Sequence, residues 1–184
     1  ESLPEGLFKD AGASMTFLNI SGNMFETLPS AISDAVKLKK LIAYNNVLTS
    51  IADVDFSKMA DLTEINFMKN YIAEIKDGTF AKNSHLLSVD LHDNQLTNLS
   101  GSVFAGTFEN SRGDGKLQKL DITLNNIRVV DPALMKKCDT SINKFYPQKT
   151  ALSLTLKKDS DTQISWSQDL SMLDLVFWFD QTVS

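Results

Sequence analysis

Residues 86–99, LLSVDLHDNQLTNL, decide how the rest of the chain is read. They place Leu86, Val89, Leu91, Asn94 and Leu96 at the fixed positions of a pattern written L-x-x-L-x-L-x-x-N-x-L. The section around Val89 and Leu91 alternates apolar and polar with period 2, which predicts a strand with one face buried. Asn94 falls where the chain must turn away from that strand. Its amide both donates and accepts, so it can satisfy backbone groups that the turn leaves unpaired.

The pattern recurs on both sides. Before it stand Leu18, Ile20, Asn23 and Phe25; then Leu38, Leu41, Ala43, Asn46 and Leu48; then Leu62, Ile65, Phe67, Asn70 and Ile72. After it come Leu117, Leu120, Ile122, Asn125 and Ile127. The fixed asparagines at 23, 46, 70, 94 and 125 are spaced by 23, 24, 24 and 31 residues. Repetition at this period is the signature of leucine-rich repeats, in which each unit stacks on its neighbours and the strands form a parallel sheet. The predicted strands are 17–21, 40–44, 64–68, 88–92 and 119–123. The predicted core contains Leu18, Ile20, Leu41, Ile65, Phe67, Val89, Leu91, Leu120 and Ile122. Phe8, Phe56, Phe80 and Phe104 each lie five residues beyond an apolar position, so they form an aromatic column packed between turns. Residues 30–36, 55–59, 77–82 and 131–137 begin near Ser or Asp and read as short helical or 3₁₀ turns on the return side.

The longest spacing carries seven extra residues within 106–116, GTFENSRGDGK, whose glycines, Asn and Ser predict an inserted loop. At the front, Leu3-Pro4 followed by Phe8 repeats Leu28-Pro29, so the chain is expected to begin inside a repeat, with any leader segment lost upstream. Behind the fifth repeat, residues 142–145 open a sixth strand, but Pro147 stands at the next inward position and should end the parallel sheet. The expected organisation is a repeat domain at 1–150 and a short β-rich region at 151–184, either a cap or the first strands of a further domain. In that tail Leu152, Leu154, Leu156, Ile164 and Trp166 alternate with polar residues and are expected to pack over the last repeat.

Among 184 residues, 42% are hydrophobic, which predicts a folded chain rather than disorder. A formal net charge of −5 without basic runs argues against nucleic acid and against anionic membrane surfaces. The single cysteine, Cys138, excludes an internal disulfide framework and reads as a buried structural thiol. No apolar run reaches membrane-spanning length. No cofactor and no metal site is expected.

These repeats resemble the leucine-rich repeats of bacterial surface and secreted proteins, of the internalin-like kind, over roughly residues 3–149. The ending Phe145-Tyr-Pro-Gln-Lys149 before alternating leucines is similar to the junction at which such repeats pass into a β-rich module. The resemblance implies an α/β solenoid, a right-handed horseshoe with its parallel sheet on the concave face. It also implies export to the surface or outside of the cell, recognition of a protein or glycan, such as a host or cell-surface molecule, and no catalytic residues.

Side chains two apart on a strand share a face, so the outward positions form three columns. One contains Phe17, Lys40, Glu64, Ser88 and Lys119; the central one Asn19, Ile42, Asn66, Asp90 and Asp121; the third Ser21, Tyr44, Met68, His92 and Thr123. Phe17, Ile42, Tyr44 and Met68 have no evident structural reason to face solvent, and a cluster of aromatic and Met side chains ringed by charge has the composition of an interface. The candidate partner-binding residues are therefore Phe17, Lys40, Ile42, Tyr44, Glu64, Asn66, Met68, Asp90, His92 and Asp93. The structural alternative is that single surface apolar residues are ordinary. Ser88, Asp90 and His92 share one strand face, but no nucleophile elbow accompanies them. Asp90, Asp93 and Asp121 have calcium-ligand chemistry, yet exposed carboxylates are commonly just solvated. Arg112-Gly113-Asp114 in the inserted loop matches an integrin-recognition tripeptide, a match short enough to arise by coincidence. The rival to a binding module is a structural spacer presenting another domain, for which apolar outward columns serve no purpose.

Overall fold

The computed structural model describes residues 4, 6–108, 117–128, 131, 134 and 148, together with the strand residues 156–160 and 163–166. Each repeat contributes one strand: β1 (Phe17–Asn19), β2 (Lys40–Ile42), β3 (Glu64–Asn66), β4 (Ser88–Asp90) and β5 (Lys119–Asp121). They form one parallel sheet in sequence order. Its register aligns Phe17, Lys40, Glu64, Ser88 and Lys119 in one row, and Leu18, Leu41, Ile65, Val89 and Leu120 in the next. The columns read from the sequence are the rows of the sheet.

The strands are three residues long where five were expected. Four of the five end on an Asn or Asp side chain that turns back onto the backbone, and β2, which ends on Ile42, has the same length. Asn19, Asn66, Asp90 and Asp121 turn their Oδ1 back to accept from the backbone N–H two residues ahead, at 2.9, 3.0, 3.0 and 3.1 Å. That N–H is taken from the ladder, a local competition typical of Asn and Asp. Pairing resumes beyond it, for example Ile20 N to Ile42 O at 2.8 Å and Leu91 N to Asp121 O at 2.8 Å. A left-handed residue then redirects the chain in every repeat: Gly22, Asn45, Lys69, Asp93 and Leu124, with φ between 54° and 68°.

Directly after each of these comes the fixed asparagine. Asn94 Nδ2 donates to Phe67 O, Leu91 O and His92 O at 2.9, 3.1 and 3.4 Å, and its Oδ1 accepts from Ile72 N at 3.0 Å. Asn46, Asn70 and Asn125 repeat this arrangement, tying each turn to the unit before it. Gln148 extends the series, although the sequence pattern gave it no role. Its Nε2 donates to Ile122 O at 2.9 Å and its Oε1 accepts from Ile127 N at 3.3 Å, the bonds that an asparagine one repeat later would make. It stands 23 residues after Asn125, one period on.

Every residue of the predicted core is buried except Leu18, which is half-buried on the edge strand and packs against the core. Phe56, Phe80 and Phe104 form the aromatic column, with ring centroids 4.9 and 5.7 Å apart, and Phe8 is buried as well. The return segments hold 3₁₀ turns at Ala11–Ala13, Ser30–Asp34, Phe56–Lys58 and Gly101–Phe104. Residues 77–82, expected as a short helical or 3₁₀ turn, form a run of turns without a regular helical element. The insertion read as loop begins inside a single helical turn, α1 (Ala105–Phe108), which passes so close to the preceding repeat that only Gly106 fits there.

The chain divides into two compact units, Glu1–Thr150 and Ala151–Ser184. In the second, β6 (Leu156–Ser160) and β7 (Gln163–Trp166) form an antiparallel pair with Leu156 opposite Trp166. Leu152, Leu154, Cys138, the residues expected to open a sixth strand, and the Arg112-Gly113-Asp114 tripeptide lie outside the described residues. No helix among the described residues is long and apolar enough to cross a membrane.

Candidate functional site

The outward face of the sheet changes character along its length. In the first three repeats it carries four apolar side chains among five polar ones: Phe17 is 55% exposed and Tyr44 37%, with Ile42 and Met68 half-buried. The neighbours that register sets side by side are Phe17 with Lys40, and Ile42 with both Asn19 and Asn66. Lys40 and Glu64 form an ion pair across β2 and β3 at 2.7 Å, so their charges largely cancel. Side-chain exposures of 52% and 35% make this a surface pair of modest energetic weight.

Repeats four and five are polar on the same face. Thr123 Oγ1 donates its one hydrogen to Asp121 Oδ1 at 2.6 Å, so the His92 imidazole must be the donor in its 2.7 Å contact with Thr123 Oγ1. His92 Nδ1 lies 4.0 Å from Asp121 Oδ1. This order, imidazole to hydroxyl to carboxylate, does not serve nucleophilic catalysis, in which the imidazole must take the hydroxyl proton and be held by the carboxylate. The set Ser88, Asp90 and His92 is not assembled either, since Asp90 Oδ1 holds the His92 backbone N–H and the imidazole turns to Thr123. Asp93 occupies a left-handed turn position at the end of this face. Among the described residues, no group of three His, Cys, Asp or Glu side chains is disposed to hold a metal ion.

Of the ten candidate residues, Asn66 and Asp90 already have a structural task in closing their strands, which the sequence reading did not foresee. Asn19 and Asp121 share it. Four exposed apolar side chains among the described residues escaped that reading: Leu7 and Val36, which follow no repeat position, and Met24, 66% exposed, and Tyr71, 50% exposed, which do. Met24 and Tyr71 directly follow a fixed asparagine, as does half-buried Val47, so these three form an apolar column on consecutive repeats along the turn edge. The available signal was alternation, because Phe25, Leu48 and Ile72 immediately after them point inward. On the return side, Ser57 holds the Asp55 carboxyl below the usual carboxylate range by donating its hydroxyl to Oδ1 at 2.6 Å and its N–H at 3.1 Å. That perturbation belongs to a helix cap and marks no site.

Five parallel strands at a period of 23 to 31 residues, an asparagine ladder and an outward sheet face define a leucine-rich-repeat solenoid. A family model for the BspA type leucine rich repeat region matches residues 1–140 in six copies, and the chain belongs to this family. No curated protein matches the chain significantly. Repeats of this type point to a protein-interaction or surface module, and the family is typically non-enzymatic.

Proposed function

We propose that the chain is a non-enzymatic recognition module of an exported or cell-surface bacterial protein, as in the internalin-like repeats it resembles, and that it binds a protein partner through the concave face of the sheet. The observation that carries this reading is the placement of Phe17, Ile42, Tyr44 and Met68 on adjoining strands of one outward face, two of them substantially exposed. A stacked sheet presents preorganised side chains, so little ordering cost attends binding. Lys40, Glu64, Asp90, His92 and Asp93 supply the polar surroundings that such a centre requires.

The test screens the immobilised chain against a library of extracellular proteins and then scans the binder by alanine substitution. Tyr44→Ala and Met68→Ala should each weaken binding by at least about 1 kcal/mol, as loss of an interface anchor does. Lys58→Ala and Lys82→Ala, on the return side, should leave it unchanged. The reverse ranking would move the site to the return side, dependence on Arg112 and Asp114 alone would move it to the inserted loop, and retention of nothing would favour the spacer reading.

A further inference from the structure

Ile42 breaks a rule that the rest of the sheet obeys. At the other four positions of the central column an Asn or Asp closes its own strand by accepting a backbone N–H two residues ahead, at 2.9 to 3.1 Å. An aliphatic side chain cannot accept a hydrogen bond. β2 therefore forgoes a contact of the kind that normally contributes to stability, and does so at an outward, half-buried position where the core gains little. Ile42 instead adds an apolar side chain, flanked in register by Asn19 and Asn66, to the face that also carries Phe17, Tyr44 and Met68.

Two strands further on, the same column turns acidic with Asp90, followed by Asp121. Adjacent strands lie about 4.8 Å apart, so the apolar and acidic ends are separated by about 10 Å. Lys40 and Glu64 neutralise each other at 2.7 Å, and the exposed Lys119 stands level with Ser88 beside the two carboxylates, which outnumber it. We infer, on the basis of the concave-face reading above, that the partner presents an extended polypeptide segment crossing the strands. An aliphatic or aromatic side chain rests on Ile42 and Tyr44, and a Lys or Arg two to four residues away faces the half-buried Asp90, while Asp121, 7% exposed, lies buried in the next strand. The spacing follows from an advance of about 3.1–3.4 Å per residue in extended chains, with the remainder covered by the reach of a long basic side chain. A glycan fits less well. A sugar offers no cation for Asp90, whereas a Lys or Arg side chain does.

The experiment uses the full 184-residue chain to select from a random displayed-peptide library, then measures the affinity of enriched peptides by fluorescence polarisation. Two variants are built to keep the fold: Ile42→Asn supplies the residue type that closes the neighbouring strands, and Asp90→Asn retains Oδ1 while removing the charge. Thermal unfolding checks both. Enriched peptides should carry an apolar residue and a Lys or Arg two to four positions apart, and each variant should weaken them about tenfold. Changing the peptide's basic residue to Gln should cost the same factor against the parent chain and almost nothing further against Asp90→Asn, because coupled partners are not additive. Peptides that need Ile42 but no basic residue, or that ignore Asp90→Asn, overturn this inference and leave the concave face standing. Peptides indifferent to both variants overturn both readings, and failure to enrich any peptide overturns the peptide partner.

Discussion

Replacing Asn94 by Ala would leave Ile72 N without its side-chain acceptor, while Phe67 O and Leu91 O would each keep one ladder amide, Asn70 Nδ2 at 3.0 Å and Asn125 Nδ2 at 2.9 Å. One orphaned buried N–H costs about 1–3 kcal/mol, so the substitution should lower unfolding free energy by about that much. Urea denaturation measures this directly, and a loss under about 1 kcal/mol would mean that water replaces the amide and that the ladder is not what holds the turns. The identity of these asparagines was legible because one residue type recurs at fixed spacing. The left-handed position just before each was not. Gly22 and Asn45 are residues that adopt positive φ readily, but Lys69, Asp93 and Leu124 occupy the same conformation through their place in the repeat, against the ordinary preference of Lys and Leu. Gln148 was hidden for a different reason: its longer side chain reaches the rung after Pro147 has broken the sequence pattern.

At the scale of the element, strand register was fully legible and strand length was not. Period-2 alternation specifies which residues face inward, since a slip of one would expose Leu41, Ile65, Val89 and Leu120 together. All five strands are three residues long, whether an Asn or Asp takes the N–H two residues ahead, at residues 21, 68, 92 and 123, or Ile42 stands in its place, and the hydrophobic pattern carries no trace of where pairing stops. The return segments show the same split. Gly106 reads as an ordinary loop glycine, yet a Cβ there would lie 1.7 Å from Ala81 O, within the backbone of the neighbouring repeat. Gly106→Ala should therefore force the two segments apart and destabilise by at least about 2 kcal/mol, the range of a severe packing clash. Gly78→Ala serves as the control: its Cβ meets open space, so only the positive φ of 79° opposes it, at about 1 kcal/mol. Equal effects in thermal melts would show that the repeats yield easily at Gly106.

For the whole molecule, the face that carries the candidate site was legible because solenoid geometry converts sequence columns into surface columns. The tasks of individual residues within it were hidden, since a sequence cannot show that Asp90 closes a strand or that His92 leans on Thr123. The same one-dimensional stacking makes stability position-dependent, because each repeat is held by its neighbours. β1 is the first strand of the sheet, pairing on one side with β2, and its inward Leu18 is half-buried, while Leu41, Ile65, Val89 and Leu120 are fully covered. Asn23 donates to Ile20 O and Ser21 O of its own repeat, whereas Asn46 reaches back across repeats to Ile20 O. The other edge differs: β5 is fully buried at Leu120, and Gln148 supplies one more rung beyond it. Native-state hydrogen exchange should therefore be asymmetric, with protection at Phe17–Asn19 at least about tenfold below that of β3 and β4, and with β5 closer to the interior strands than to β1. Uniform protection across the five strands would mean that the sheet opens only as a whole, and faster exchange at β5 than at β1 would mean that the rung made by Gln148 contributes nothing to holding that end.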